Sequence, residues 1–581
     1  MKNLLIYLKN YKLESILGPL FKLLEASFEL LVPLVMAKVI DVGIKTGDVP
    51  YVLKMGGILI LLGIVGLASS ITAQYFAAKA SVGFGTALRN DLFSHINKLS
   101  YGEIDTMGTA TLITRMTSDA NQVQSGINLF LRLFLRSPFV VFGAMVMAFT
   151  IDVKSALVFA AAVPALSMVI FGIMLISMPL YKKVQKQLDS VLLAVRENLG
   201  GVRVIRAFNH QEEEISRFGR ENDLLVKLQV FVGKISALMN PLTYVIINLG
   251  IIVLIQTGAG QVEKGIITQG EVVALVNYMS QILVELVKLA NLIITISKAL
   301  ACGNRINSVF EMKPGIAESE KAEARENRDA PMVVFDRVHF SYEGTKAETL
   351  SGISFQAMEG ETIGIIGGTG SGKTTLVNLI PRFYDIISGK VMVSGADVRD
   401  YPVSRLRGMI GIVPQKAVLF KGSLRENMQW GKKDASDEEI YRALEIAQAA
   451  DFVEKKGEGL EFTVQAGGKN LSGGQRQRLT IARALVRKPR ILIMDDSASA
   501  LDFATDARLR KAIKQGTRDM TVFIVSQRAS SIKSADHILV LDDGEMTGWG
   551  THEELFENCR IYKEICLSQL SETELKGGSI I

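Results

Sequence analysis

The stretch TIGIIGGTGSGKTTLVNLI, residues 362–380, contains a glycine-rich segment between two patterns of different period. TIGII is a short apolar run that predicts a buried strand, and KTTLVNLI has apolar residues at helical spacing. Glycines between a strand and a helix let the backbone curl, so that successive N–H groups and the helix N-terminus face one point. This arrangement predicts a phosphate-binding loop within an α/β domain.

The spacing of this loop fits the pattern Gly-x4-Gly-Lys-Thr, with Gly367, Gly372, Lys373 and Thr374 at the defining positions. We expect the Lys373 ammonium to neutralise the β- and γ-phosphates of ATP, and the Thr374 hydroxyl to bind Mg²⁺. A glycine-rich turn without a ligand is the alternative, which the flanking strand and helix disfavour. The predicted ATP-binding residues in this segment are Gly367, Gly368, Thr369, Gly370, Ser371, Gly372, Lys373, Thr374 and Thr375.

The stretch ILIMDDSASALD, residues 491–502, places two adjacent aspartates after four apolar residues. The apolar residues predict a buried strand that ends at Asp495 and delivers its carboxylate to the Mg²⁺ ion. An ordinary acidic residue at a strand end is the alternative, and the phosphate loop upstream in the same domain makes it the weaker one. Asp496 follows, where an ATPase of this kind would place a glutamate.

The chain of 581 residues divides into an apolar first half and a second half with the composition of a soluble domain. Charged and apolar residues alternate from Asn304 onward, whereas the residues before it form long apolar runs with few charges. About 20 apolar residues in a helix cross a hydrocarbon core of about 30 Å. Six segments reach this length, namely Ile16–Ile40, Val52–Ala78, Gly126–Ile151, Ser155–Leu180, Ile235–Gln256 and Glu271–Ile296.

The connections between these segments differ in charge. The loop Lys182–Lys234 contains ten Lys or Arg residues, whereas the short links Asp152–Lys154 and Thr257–Gly270 contain one each. Because cytoplasmic loops retain positive charge, both termini, both long loops and the second half are predicted to lie in the cytoplasm of a multi-pass cell-membrane protein. Helical spacing continues through Lys79–Gln124 and Lys182–Lys234, so the membrane helices are expected to extend into the cytoplasm.

The remaining composition gives weaker indications. The opening MKNLLIYLKNYK predicts an interfacial helix rather than a cleaved signal peptide. The net charge of +6 is what positive cytoplasmic loops produce, and it gives no indication of nucleic-acid binding. Cys302, Cys559 and Cys566 would all face the cytoplasm, where reduced thiols are expected.

Charge and glycine content divide the chain into four parts. MKPGIAESEKAEARENRD, residues 312–329, has the composition of a linker, and strands then alternate with helices to about Leu570, as in an α/β domain. The predicted parts are a transmembrane domain at 1–305, a linker at 306–330, a nucleotide-binding domain at 331–570 and a flexible tail at 571–581.

The stretch LSGGQRQRLTIARAL, residues 471–485, together with the phosphate loop, resembles the signature motif of ABC transporters. The other landmarks of that family follow in order: Tyr342 at the adenine-stacking position, Gln415 in VPQKAVLF, Asp502 in SALD and Gln527 in VSQRAS. Six spans followed by one nucleotide domain resemble an ABC exporter half-transporter, and this resemblance covers essentially the whole chain.

The resemblance implies a multi-domain membrane protein. A six-helix transmembrane domain with long cytoplasmic helical extensions would precede a RecA-like α/β P-loop ATPase domain with a helical signature subdomain. Two such chains would sandwich two ATP molecules with Mg²⁺, each ATP lying between the phosphate loop of one chain and the signature of the other. The loop tips near Glu103–Gly108 and Gly200–His210 would be coupling helices that dock on nucleotide domains, the second on that of the partner.

The same resemblance assigns individual roles. Thr374, Gln415 and Asp495 would hold the metal, Tyr342 would stack on adenine and Asp502 would belong to the D-loop. The residues that would bind the partner's ATP are Ser472, Gly473, Gly474 and Gln475. A helix N-terminus with small residues presents N–H groups and a hydroxyl to a γ-phosphate at close approach.

Three positions depart from the pattern of fully active family members. Asp496 stands in place of the catalytic glutamate, Gln527 in place of the histidine that contacts the γ-phosphate, and Ala466 in place of a glutamate before the signature. The intact signature and the altered catalytic residues together resemble the degenerate-site subunit of a bacterial heterodimeric multidrug exporter. A self-sufficient homodimer with two slow sites and an ATP-gated regulatory membrane protein are the alternatives.

Ionisable residues within the predicted spans are candidates for the substrate path, because charge inside a membrane is costly. Glu285 and Glu25 are the predicted substrate-path residues, and Glu29 belongs with Glu25 in the hypothesis that first-span glutamates favour cationic substrates. Lys288 lies one turn from Glu285, so that mutual ion pairing is the alternative. We expect an amphipathic small-molecule substrate, such as a drug or a lipid.

Overall fold

The computed structural model describes residues 2–316, 324, 326–327, 329–345, 347–497, 500–517 and 519–569. The chain forms two compact units. The first, the membrane unit, comprises Met1–Asn97 and Ala110–Met312, and the second, the nucleotide unit, comprises Lys98–Thr109 and Lys313–Ile581.

The membrane unit is helical, with a 3-10 helix at Lys2–Tyr11 and π-helical turns at Val39–Ile44 and Arg115–Asp119. Its α-helices are α1 (Lys12–Lys38), α2 (Val49–Ile96), α4 (Thr109–Thr114), α5 (Ala120–Leu133), α6 (Arg136–Ile151), α7 (Val153–Ala207), α8 (Gln211–Ala237), α9 (Met239–Glu263) and α10 (Gln269–Glu311), while α3 (Tyr101–Met107) belongs to the nucleotide unit. The lengths of α2 and α7 confirm that helices continue well beyond the predicted spans.

Five helical segments among the described residues are long and apolar enough to cross a membrane. The exception among the six predicted segments is Ile16–Ile40, which forms most of α1 and the following π-turn. Lys22, Glu25 and Glu29 lie in the central turns of α1 and lower its hydropathy, so its membrane crossing stays a prediction. The predicted third span is a pair of helices, α5 and α6, which are interrupted at residues 134–135.

A polar cross-link joins the cytoplasmic extensions within the membrane unit. The buried Asp119 carboxylate accepts hydrogen bonds from the guanidinium of Arg305 at 3.0 and 2.5 Å and from Arg115 at 2.9 Å. These arginines hold the pKa of Asp119 below its usual range despite the opposing effect of burial. The contact ties the end of α10 to the π-turn before α5.

The nucleotide unit contains strands β1 (Val333–Phe340), β2 (Leu350–Ala357), β3 (Thr362–Gly367), β4 (Ser388–Val393), β5 (Ala396–Asp397), β6 (Ile410–Val413), β7 (Gly422–Ser423), β8 (Thr463–Val464), β9 (Ile491–Asp495), β10 (Thr521–Val525), β11 (His537–Asp542) and β12 (Glu545–Gly550). Its helices after α3 are α11 (Lys373–Leu379), α12 (Val403–Gly408), α13 (Leu424–Gln429), α14 (Asp437–Ile446), α15 (Ala450–Glu454), α16 (Gly473–Val486), α17 (Phe503–Gly516), α18 (Ala529–Ile532), α19 (His552–Asn558) and α20 (Arg560–Gln569), with 3-10 turns at Val398–Asp400, Gly459–Glu461 and Ala466–Gly468.

Two sheets organise this unit. The larger sheet has the order β12-β11-β3-β10-β9-β6, and it is parallel except for β12. The second sheet, β2-β1-β4-β5, is antiparallel, and a small β7-β8 pair lies apart. The central strands of the larger sheet are fully buried, as the apolar runs TIGII and ILIM predict.

α10 continues to Glu311, past residue 305, where the transmembrane domain is predicted to end, and the predicted domain bounds stay a prediction. The first loop tip belongs to the nucleotide unit and packs within it: the Tyr384 hydroxyl donates to Asp105 at 2.6 Å, and the Tyr101 ring lies 4.5 Å from that of Phe383. This confirms the predicted contact of that tip with the nucleotide domain. Docking of the second tip, between α7 and α8, stays a prediction, and the predicted tail lies outside the described residues.

Candidate functional site

Three neighbouring strands of the larger sheet end at one edge, and each leads into a predicted site segment. β3 and β9 lie on either side of β10, and all three are parallel. β3 ends at Gly367, β9 ends at Asp495, and Gln527 follows β10. The carboxyl ends of parallel strands form the usual ligand-binding edge of an α/β sheet. Segments more than 100 residues apart in the chain therefore meet in space.

The phosphate loop after β3 depends on glycine at particular positions. Gly370 and Gly372 have φ angles of +87° and +92°, in the left-handed region that side chains disfavour. A Cβ atom at Gly367 would lie 2.0 Å from the carbonyl oxygen of Leu541, so the loop can start there only without a side chain. The loop leads directly into α11, whose N-terminal N–H groups face the same region.

Lys373 occupies the centre of this loop. Its ammonium donates to the carbonyl oxygens of Gly367 at 3.0 Å and Gly368 at 2.5 Å, and to the hydroxyl of Ser371 at 3.3 Å. Burial lowers the pKa of Lys373, and the nearby carboxylates of Asp496 and Asp495 oppose that effect. A buried cation enclosed by backbone dipoles is suited to binding phosphate oxygens.

Thr374 and Asp495 form the predicted metal side of the site. The Thr374 hydroxyl donates to Asp495 Oδ1 at 3.0 Å, which brings two oxygen ligands together at the start of α11. Burial raises the pKa of Asp495, and the hydrogen bond from Thr374 opposes this shift. A hydroxyl and a carboxylate are the hard oxygen donors that Mg²⁺ prefers, so the residues present fit this ion.

Asp496 lies on the same side of the site in an unusual backbone conformation. Its φ angle is +42°, and its N–H donates to the carbonyl of Val525 at 3.0 Å. The Gln415 amide lies 3.4 Å from Asp496 Oδ2. Burial raises the pKa of Asp496, and the hydrogen bond from Gln415 opposes this shift. The backbone of this residue is thus fixed by β10, and its carboxylate is held beside a predicted metal ligand.

Gln527 is held by a residue that sequence reasoning missed. The side-chain amide of Gln569, at the end of α20, donates to the Gln527 carbonyl at 2.9 Å, and its oxygen accepts from the Ala529 N–H at 2.9 Å. This bridge fixes the backbone on both sides of the segment that follows β10. No local pattern around Gln569 indicates the contact, because it joins residues 42 positions apart.

A cavity of about 350 Å³ collects most of the predicted nucleotide-binding residues. The Tyr342 hydroxyl at its rim lies 2.9 Å from the Thr375 hydroxyl, and the Tyr342 ring packs edge-on against Tyr384 at 5.2 Å. The cavity is lined by Tyr342, Thr349, Thr369, Gly370, Gly372, Lys373, Thr374, Thr375, Gln415, Asp495, Asp496, Val525, Ser526 and Gln527. Thr349, Val525 and Ser526 are additions to the predicted set, and Gly367, Gly368 and Ser371 support the loop without lining the cavity.

The signature residues lie outside this cavity, at the N-terminus of α16. Ser472 caps the helix: its hydroxyl accepts from the Gln475 N–H at 3.3 Å, and the Gln475 side chain accepts from the Ser472 N–H at 3.0 Å. A Cβ atom at Gly473 would meet nothing within 4 Å, whereas one at Gly474 would lie 3.2 Å from the Ala500 carbonyl oxygen. Packing within this chain therefore requires a small residue at Gly474 but not at Gly473.

Asp502 also lies outside the cavity, where it caps α17. Its carboxylate accepts from the Thr505 N–H at 2.9 Å. The hydrogen bonds to Thr505 hold the pKa of Asp502 below its usual range. Asp502, Ser472 and Gly473 are solvent-exposed, whereas Gly474 and Gln475 are half-buried.

The predicted substrate-path charges are neutralised by one another. Arg136 on α6 donates to Glu285 on α10 at 2.6 Å and to Glu29 on α1 at 2.6 Å, and Glu285 also accepts from Lys288 at 2.8 Å. Glu25 pairs with Lys22, a cation that the sequence interpretation overlooked. The Glu285–Lys288 ion pair is therefore present, the two first-span glutamates each have a cationic partner, and a role of Glu285 in a substrate path stays a prediction.

A P-loop ATPase domain with a separate helical signature, carried on one chain with a helical membrane domain, defines the class of ABC transporters. The ABC transporter transmembrane region family matches residues 15–286, and the ABC transporter family matches residues 350–499. The chain belongs to the ABC transporters, as an exporter half-transporter with fused transmembrane and ATP-binding domains.

Several known proteins are similar to it over most of their length. An uncharacterized ABC transporter ATP-binding protein of Bacillus subtilis, YfiB, is 36% identical over 98% of both chains. An ATP-dependent lipid A-core flippase of Desulfotalea psychrophila is 33% identical over 81% of this chain and 82% of its own. The structure of a bacterial Atm1-family ABC exporter with ATP bound is 25% identical with a TM-score of 0.80, covering 97% of this chain and all of that one.

Membership in this family establishes the general activity. The nucleotide unit is an ABC ATPase domain that binds ATP and couples its hydrolysis to transport, and exporters of this kind work as dimers. The membrane unit makes the chain a multi-pass membrane protein.

Proposed function

We propose that this chain is one subunit of a heterodimeric ABC exporter in the cell membrane. Its own ATP site is degenerate, and its signature serves the ATP bound by a different chain that carries the catalytic glutamate and histidine. The observation that carries this proposal is the combination of Asp496 and Gln527 in one nucleotide cavity with a complete, well-capped signature.

The position of Asp496 supports slow hydrolysis at this site. Aspartate places its carboxylate about 1.5 Å behind that of a glutamate, which is one carbon–carbon bond. The backbone cannot advance to compensate, because the Asp496 N–H is bonded to Val525 on β10. A misplacement of about 1 Å in a group that positions water costs on the order of 10²-fold in rate.

Gln527 weakens the site in a second way. Its neutral amide can donate hydrogen bonds to a γ-phosphate but cannot carry positive charge toward the developing phosphoryl anion. The Gln569 bridge holds the backbone of this segment in place. ATP binding should therefore survive better than ATP hydrolysis.

The signature supports the other half of the proposal. Gly473 has open space around it in this chain, so a phosphate from a second chain could approach its backbone. The capping box between Ser472 and Gln475 fixes the N-terminus of α16, whose helix dipole favours an anion. The open space and the capped helix N-terminus both support binding of the partner's ATP by the signature.

Mg²⁺ would complete the site with Thr374, Asp495 and the carbonyl of Gln415 as protein ligands. The ion would neutralise charge on the β- and γ-phosphates of the bound ATP. Thr374 and Asp495 would hold the ion, Lys373 would bind the phosphates, and Tyr342 would stack on adenine. The positive loops favour a cytoplasmic position for the nucleotide unit and both termini.

The transported compound is proposed to be amphipathic, as drugs and lipids are. This rests on the membrane unit, which would offer a lipid-facing route, and on the likeness to the lipid A-core flippase. The hypothesis of a cationic substrate is weakened, because Glu29 and Glu25 are paired with Arg136 and Lys22.

The test is the rate of ATP hydrolysis by the purified chain, alone and co-expressed with a second half-transporter encoded beside it. Very low activity alone, restored by the partner and abolished when the partner's catalytic glutamate is replaced, supports the degenerate-site assignment. Lys373→Met is the internal control, because it should remove ATP from this site while leaving the partner's site able to turn over. Brisk hydrolysis by the chain alone would instead establish a self-sufficient homodimer.

A further inference from the structure

The membrane unit contains a cavity of about 420 Å³ between α1 and α10 whose lining combines apolar side chains with six polar ones. The polar lining residues are Glu29, Asn277, Ser280, Gln281, Glu285 and Lys288. Packing defects in proteins are apolar and stay dry, whereas polar cavities hold water or ligands. Polar side chains in a membrane domain are also costly, which favours a function for them.

Hydrogen-bonding capacity in this cavity is not used up by the protein. The Lys288 ammonium donates one of its three N–H bonds to Glu285, and its side chain is 42% exposed. The Glu29 carboxylate accepts from Arg136, and its side chain is 39% exposed. The buried oxygen of Gln281 has no hydrogen-bond partner among the described residues. An acceptor, a donor and an orphaned amide oxygen therefore remain available to a ligand.

Three charged residues line the cavity, and Arg136, which lies outside the lining, connects two of them into a series of alternating sign. Glu29, Arg136, Glu285 and Lys288 form a chain in which the two inner members, Arg136 and Glu285, are buried with side chains 7% and 3% exposed. The charges of Arg136 and Glu285 neutralise each other, and the Ser137 hydroxyl also donates a hydrogen bond to Glu285 at 2.8 Å. The outer members, a carboxylate and an ammonium, are the charges that a ligand in the cavity would meet.

We propose that this cavity binds the zwitterionic head group of an amphiphilic substrate, with its cationic part at Glu29 and its anionic part at Lys288. A purely cationic head group would be repelled by Lys288, and a purely anionic one by Glu29, whereas a zwitterion gains from both. The Gln281 oxygen is a further acceptor for zwitterions whose cationic part carries an N–H donor. This inference rests on the proposed export of amphipathic compounds and names their chemical class.

The experiment measures binding of three radiolabelled twelve-carbon amphiphiles to the full-length transporter dimer in nanodiscs, below their critical micelle concentrations. The probes are dodecyl betaine, dodecyltrimethylammonium and dodecanoate, which share one chain and differ in head-group charge. We expect the betaine to bind about tenfold more tightly than either singly charged probe, as one added charge-assisted contact predicts.

Two variants separate the halves of the site. Glu29→Gln should cost the betaine about tenfold and tighten dodecanoate, whereas Lys288→Met should cost the betaine a similar factor and tighten dodecyltrimethylammonium. Both leave the Arg136–Glu285 pair in place, so folding should be retained. Glu263→Gln, at the exposed end of α9, removes one charge of the same unit and should change no affinity.

Equal affinity for the three probes, or variants that leave their ranking unchanged, would overturn the assignment of the cavity. Binding of ATP to the same nanodisc samples is measured in parallel. Normal ATP binding without head-group discrimination contradicts the zwitterion site alone, whereas loss of ATP binding contradicts the proposed function itself.

Discussion

Restoring the missing catalytic groups should raise hydrolysis at this chain's own site. Asp496→Glu advances the carboxylate by about 1.5 Å. Because a misplacement of about 1 Å costs about 10²-fold in rate, the hydrolysis rate should rise at least 10²-fold, which corresponds to roughly 2.7 kcal/mol of activation free energy. Gln527→His adds a group that can carry positive charge, and its separate gain is expected to be about tenfold. Because both groups act on one transition state, their effects should not simply add.

The assay is steady-state release of phosphate from the heterodimer in nanodiscs, with the partner's catalytic glutamate replaced by glutamine so that this site alone contributes. Asp543→Glu is the matched control, since Asp543 has the same φ of +42° as Asp496 but lies in the turn after β11. That control should leave the rate unchanged. Less than a threefold gain from Asp496→Glu with normal ATP binding would refute the geometric account of the degenerate site.

Three further outcomes follow from the described contacts. Gly473→Leu should lower the partner-site ATPase at least tenfold and leave the unfolding temperature of the chain unchanged, because a Cβ atom at Gly473 meets nothing within 4 Å. Gly474→Leu should lower both the ATPase and the unfolding temperature, because a Cβ atom at Gly474 meets the Ala500 carbonyl. Tyr384→Phe removes the hydroxyl that donates to Asp105, a contact worth about 1 kcal/mol. This variant should reduce the substrate-stimulated ATPase rate but not the basal rate. An unchanged ratio of the stimulated to the basal rate would contradict this expectation. Burial lowers the pKa of His552 from 6.5, so its contribution to folding stability should be fully present above pH 6.5 and should fall on acidification. The unfolding temperature of His552→Gln should therefore depend less on pH than that of the unchanged chain.

The nucleotide site could be predicted because its elements carry local patterns. The loop Gly367–Thr374 and the strand before Asp495 are recognisable from glycine spacing and apolar runs alone, and parallel pairing with β10 then brings them together. Gln569 could not be predicted in the same way. Its bridge depends on where α20 packs, and that position is decided by contacts such as the buried Tyr562 rather than by any pattern at the bridge.

The pairing of charges in the membrane unit was also beyond the sequence. Lys288 and Glu285 are one turn apart and their contact is a local expectation, whereas Arg136 reaches Glu285 across 149 positions. Which long side chain meets which depends on the rotation of each helix about its axis, because a turn of one residue moves a side chain by about 100°. The hydropathy that identifies a span carries no such information.

The Arg136 guanidinium has a mechanical consequence for the transport cycle. Arg136 lies on α6 and forms ion pairs with Glu29 on α1 through one nitrogen and with Glu285 on α10 through another. Leaving one member of a buried, hydrogen-bonded ion pair without its partner costs about 3–5 kcal/mol, so separating Arg136 from the buried Glu285 would be strongly unfavourable. We therefore expect α1, α6 and α10 to move together as one rigid body. The pathway should open and close at contacts between helices that Arg136 does not connect.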